Sequence, residues 1–282
     1  MRLRVVGVLV LAVVLAGCGQ GSSDNAGRGP ARAEKTHSQP VGATGLVVAR
    51  ADAAVEFCSG GVLASPPHCG AGVRVVGVDL AALSDRRVFH GVTWGTAYLA
   101  GTLKDGILRV RQQDPPEAVS AGLRLTDPPC PAPVGGWAAS QGHNISTAAV
   151  TVYRRSFPSD LTSVAIFSPK PGTLVVTLGS ANPRRTFARL SAAYPDRLCV
   201  VRSRYALSVV RAATKFAYAL LSPRTYGQPP YRVTEVGQTA GANGQPIVEI
   251  SVIIDTTAIG RAVASQPPGL VKVVPWLTPV SE

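Results

Sequence analysis

Histidines are the natural place to look for chemistry, because a hydrolase needs a nucleophile activated by a positioned base. The chain has four, His37, His68, His90 and His143, scattered along its length. No serine sits in a GxSxG elbow, and there is no HExxH pair and no glycine-rich phosphate loop. The sixteen carboxylates are widely spaced, so no pair is marked as general acid and base. For a metal, CxxC spacing is missing, and His68 abuts Cys69 too closely for both to hold one ion. These residues predict no catalytic group, no metal site and no cofactor. The reading is therefore not an enzyme, with a hydrolase of unmarked site as one alternative.

Cysteine is the more informative type. Cys18 closes the quartet Leu15-Ala16-Gly17-Cys18, which follows basic Arg2 and Arg4 and the apolar run Val5 to Leu15. That is the pattern of a secretory leader, and a run of about ten apolar residues is half of what a membrane-spanning helix needs. The quartet resembles the bacterial lipobox, in which the cysteine is linked to diacylglycerol, the leader is cut away and the new amino group is acylated, for example with palmitate. Two or three acyl chains hold a protein stably where one holds it marginally, at about 0.8 kcal/mol per buried CH₂. This predicts a leader over 1–17, lipidation at Cys18, and a protein anchored to the outer face of the plasma membrane.

Export places Cys58, Cys69, Cys130 and Cys199 where disulfides persist. Four cysteines allow three pairings. The turn-rich SGGVLASPPH between the first two favours Cys58 with Cys69, leaving Cys130 with Cys199. Loop-closure entropy makes the bonds worth roughly 3 and roughly 4 kcal/mol. The second is expected to cross between two folded regions and limit hinge motion. Loss of Arg2 and Arg4 lowers the formal charge from +12 to +10, so the chain stays basic. Its arginines, among them Arg154, Arg155, Arg184, Arg185, Arg202 and Arg204, lack the aromatic interleaving of a single-strand binder, so nucleic acid is not an expected partner. Anionic headgroups, anionic envelope polymers or another envelope protein are.

Stepping outward to the elements, residues 18–45 hold almost no large apolar side chain and read as a disordered tether. Residues 46–137 read as a β-rich domain, with Asp105-Gly106 turning a hairpin because glycine accepts positive φ. Residues 138–282 alternate strand and helix. Ser168 to Gly172 turns a second hairpin, and Asn182 caps a helix with Pro183 at its first position. Phe187, Leu190 and Tyr194 are expected on that helix's buried face. Val248, Ile250, Val252 and Ile254 alternate as in a half-buried strand, and Asp255 is expected to cap a short helix. Trp94, Trp137 and Trp276 read as core anchors. No internal repeat is evident. The predicted class is α+β, a β-rich domain followed by a ferredoxin-like (split βαβ) sandwich.

The phrases CSGGVLASPPHCG, GVTWGTAYLAGTLKDG and CPAPVGGW, with LCVVRS before a long helix, resemble an uncharacterised family of actinobacterial secreted or lipid-anchored proteins. In Gly95-Thr96-Ala97-Tyr98 the aromatic falls later than in that pattern. The resemblance implies architecture and compartment, with no catalytic residue to carry over. Together these readings predict a lipid-anchored, non-catalytic interaction module of the cell envelope. A solute-binding lipoprotein serving a transporter is the remaining alternative, and it would need two similar lobes around a hinge.

Overall fold

Alternating short side chains let the first strand lie across a barrel wall. In β1 (Val41–Arg50) Val41, Ala43, Gly45 and Val47 face inward, and the three with side chains are buried. The computed structural model describes residues 40–62, 65–116, 125–140, 145–221 and 232–280. The leader, Cys18, most of the tether, His37 and His143 therefore lie outside the described residues. Residues 36–282 form one compact unit, and β1 begins five residues before the expected domain boundary at Leu46.

Next come β2 (Glu56–Val62), β3 (Cys69–Val76), β4 (Ser84–Phe89), β5 (Val92–Lys104) and β6 (Ile107–Asp114). β5 is long enough to pair along one edge with β1, from Val41 against Gly101 to Arg50 against Val92, and along the other with β4 and then β6. That double pairing closes the ring β1-β2-β3-β6-β5-β1. β3 and β6 run parallel and every other contact in the ring is antiparallel. With β4 set aside, this is the 1-2-3-5-4-1 order of a five-stranded OB-type barrel. Asp105 and Gly106 make the predicted turn, both with positive φ (52° and 76°), between Lys104 and its partner Ile107. Phe57, Val73, Val75, Leu99, Leu103 and Leu108 fill the interior.

The second region is α+β, but it does not build the expected ferredoxin-like sandwich, in which four strands share one antiparallel sheet. Two three-stranded sheets form instead, each an antiparallel hairpin with a third strand added in parallel. The first follows the order α1 (Ala148–Ser156), β7 (Leu161–Lys170), β8 (Thr173–Ser180), α2 (Pro183–Leu190), β9 (Leu198–Arg202). The second repeats it with α3 (Leu207–Leu220), β10 (Val233–Ala240), β11 (Pro246–Val252), α4 (Thr257–Val263) and β12 (Val271–Pro275).

The repeat extends to the hydrogen bonds. The bulge between Leu161 and Ser163 recurs between Val233 and Glu235. The bond from Ala181 N–H to Asp160 C=O (2.8 Å) recurs from Ile253 to Arg232 (3.0 Å), and that from Val176 to Arg197 (2.9 Å) recurs from Val248 to Leu270 (2.7 Å). The parallel ladders match as well, Val176 against Leu198 in one and Val248 against Val271 in the other. So an αββαβ unit occurs twice, with a strand offset of about 72 residues. Each copy has its own core, Leu161, Val176, Leu178 and Leu198 in the first, and Val233, Val248, Ile250 and Val252 in the second. The cap of α4 is Thr256, whose hydroxyl accepts from Ile259 N–H (3.3 Å), rather than Asp255.

Barrel and second copy are joined by the C-terminal chain. Ile253, Ile254 and Leu277 are buried in the barrel core, Trp276 Nε1 donates to Thr44 C=O at 3.0 Å, and β13 (Thr278–Pro279) pairs with β1 at Val41 and Gly42. Gly45 makes room for this, because a Cβ there would lie 2.8 Å from both the Trp276 and the Phe57 rings.

Candidate functional site

The two disulfides join Cys58 to Cys69 and Cys130 to Cys199, with Cα separations of 5.3 and 5.6 Å. The first links β2 to β3 on the barrel wall. The second was expected to tie the β region to the α/β region, and it does something more local. Cys130 belongs to a strap, residues 125–140, that packs with Cys199, Phe167 and Val175 on the face of the β7-β8-β9 sheet opposite its helices. The strap's backbone bonds also go to that sheet and its connections: Ser168 N–H to Leu125 C=O (2.7 Å), Ser140 N–H to Gly172 C=O (2.7 Å) and Ala138 N–H to Asp196 C=O (3.1 Å).

Between strap and α2, beside β9, runs a groove of about 410 Å³. Pro131, Pro133 and Trp137 form one wall, Phe187, Ser191 and Tyr194 the other, and Leu198 and Val200 of β9 the floor. Phe187 was expected in the core, yet it is 51% exposed and turned into this groove. The helix instead buries Thr186 and Leu190. Threonine tolerates that position because its hydroxyl lies 2.9 Å from Tyr153 Oη and 2.7 Å from Ser180 Oγ, and a buried hydroxyl is costly only when unpaired.

That hydroxyl is part of a network that holds α2 in place. Tyr153 Oη donates to Asp160 Oδ2 at 2.6 Å, and Arg185 grips the same carboxylate through Nε (2.9 Å) and Nη2 (2.7 Å). Asp160 is buried, and Arg185 lies 4.8 Å above the Phe157 ring. The paired guanidinium holds the Asp160 carboxyl below its ordinary range against the opposing effect of burial, while burial and the bond to Asp160 push the Tyr153 phenol up. The Asn182 side chain accepts from Arg185 N–H (3.3 Å), as its N-cap role predicts.

Charge on the helices is one-sided. Arg154, Arg155, Arg184, Arg185, Arg189, Arg211, Lys215 and Arg261 lie on α1 to α4, and no Asp or Glu does. Arg184, Phe187 and Ser191 recur at helical spacing, which puts them along one side of α2. That spacing was legible in the sequence. The Tyr153–Asp160–Arg185 network and the groove floor were not, since their partners come from distant segments.

The two described histidines, His68 and His90, lie on separate segments of the barrel region. His68 is exposed beside the first disulfide, and His90 is exposed in the turn between β4 and β5, stacked edge-on at 4.0 Å against Phe89. Among the described residues, no three His, Cys, Asp or Glu side chains gather as metal ligands, and no helix is long and apolar enough to cross a membrane. Trp276 packs against the barrel core and Trp94 against Val48 and Val92, whereas Trp137 serves both strap packing and the groove wall. No protein-family model, no curated protein and no solved structure matches the chain.

Proposed function

We propose that this chain is a lipid-anchored envelope lipoprotein, held at the outer face of the plasma membrane through Cys18, and that it works as a non-catalytic binding module. The observation that carries the reading is the groove beside α2. Its walls are aromatic and proline, and it is stiffened by a disulfide on one side and the Asp160 network on the other. A rigid apolar slot with a few placed polar groups is the architecture of a recognition site. The two disulfides support an oxidising compartment, and the resemblance to actinobacterial envelope proteins belongs to the same proposal.

The test uses a photocrosslinking residue in place of Phe187, compared with the same residue in place of Phe89 on the distant β4–β5 turn, in intact cells. A discrete adduct is expected from position 187 alone, and it should vanish when Cys18→Ala releases the protein from the membrane. No adduct at 187, or equal adducts from both positions, would contradict a dedicated binding face.

A further inference from the structure

The strand that floors the groove is the edge of its sheet, and its backbone polarity can be read from the bonds it makes. Arg197 C=O accepts from Val176 N–H, and Ser203 N–H donates to Ser180 C=O, both at 2.9 Å, so the odd-numbered residues of β9 face β8. Backbone groups alternate along a strand, which turns those of Leu198, Val200 and Arg202 outward. Two neighbours confirm the direction by bonding to it. At the start of the strand the strap's Ala138 N–H reaches Asp196 C=O. At its end Gln245, from the β10–β11 turn, places its side-chain amide along the edge as a peptide group would be placed. Its Nε2 donates to Arg202 C=O (2.9 Å) and its Oε1 accepts from Arg204 N–H (2.7 Å). Between these two, among the described residues, no strand pairs with Leu198 and Val200, and these are the residues that floor the groove.

Resting on the reading of this face as a binding site, we infer that the groove captures an extended, acidic polypeptide segment by strand addition to β9. Main-chain bonds to Leu198 and Val200 supply the register, as in other edge-strand recognition. An apolar side chain of the ligand enters between Trp137 and Phe187. The charge of the ligand follows from the end of the groove at the α2 N-terminus. There Arg184 shares the Phe187 side of the helix, and the Arg202 guanidinium reaches Ala181 C=O (3.4 Å), directly before the helix cap. Both arginines are exposed, and the helix dipole adds positive potential at the same end. Among the described residues Asp196, near the other end, is the only acid that lines the groove.

The experiment follows amide hydrogen exchange in residues 36–282, the compact unit, titrated with a short capped peptide alternating valine with glutamate. Exchange at Leu198 and Val200 is expected to slow by at least about tenfold at saturation, the mark of newly protected amides. Three comparisons must all agree. A peptide N-methylated on the edge facing β9 should lose the protection, a peptide with lysine for glutamate should bind at least about tenfold more weakly, and Arg184→Glu with Arg202→Glu should weaken the acidic peptide by a similar factor. Protection already present without peptide, undiminished binding of the N-methylated peptide, or indifference to charge would each overturn the inference. Failure here leaves the anchoring at Cys18 untouched, whereas an unlipidated Cys18 would remove the envelope reading and leave peptide binding standing.

Discussion

Asp160 shows how one residue sets up a surface it does not reach. Its carboxylate is buried and accepts from Tyr153 and twice from Arg185, and this fixes α2 against α1 and turns Phe187 outward. Its carboxyl is depressed in the folded chain, chiefly by Arg185. A group of that kind stabilises the fold above its unfolded pKa, near 3.9, and the contribution is lost as pH falls through the lower folded value. The Asp160→Asn variant is therefore expected to be less stable than the parent at neutral pH, by about 1 to 2 kcal/mol for the weakened hydrogen bonds. That gap should narrow on acidification below about pH 4, as the parent's carboxyl takes up its proton. Thermal melts from pH 2 to 7, on the order of one per pH unit, would show it; a gap independent of pH would mean the charge plays no part.

At the scale of elements, the strap over the β7-β8-β9 sheet is the piece most exposed to a single change. Because Cys130–Cys199 pins the strap onto the first αββαβ copy, Cys130→Ser should cost roughly 2 to 5 kcal/mol without altering the molecule's dimensions. Small-angle scattering is expected to be unchanged, while amide exchange over 125–140 speeds up and barrel amides stay as they were. A swollen particle would show that the bond holds the two regions together after all. What was readable from sequence here was local. Asp105-Gly106, Asn182-Pro183 and the alternation through Val248 to Ile254 each declare themselves within a few residues. Ring closure was not readable, because it depends on β1 meeting β5 across some fifty residues, and such pairing leaves no local mark. The duplication was hidden for a related reason. Its two copies share backbone bonds and bulges, yet Asp160 stands where the second copy has Arg232, and Ser180 where it has Val252. Phe187 misled because apolar spacing favoured burying it, while a hydrogen bond with Tyr153, distant in sequence, made Thr186 the better core residue.

For the whole molecule, the two αββαβ copies have different fates. The end of the second copy, Ile253, Ile254 and Trp276, plugs the barrel, whereas in the first copy Ala181, the counterpart of Ile253, is exposed. The first described strand enters the barrel at Val41, beside that plug, and the β4–β5 turn lies at the far end of the β1–β5 pairing. The proposed anchor at Cys18 would keep a basic body near the bilayer, where anionic headgroups attract it within a Debye length of about 8 Å. Intact mass measurement of the protein extracted from membranes tests the proposed anchor at Cys18 most directly. The expected result is a chain that begins at Cys18 and carries the added mass of diacylglycerol with or without an N-acyl group. A chain that retains its first seventeen residues, or one with an unmodified Cys18, would contradict it.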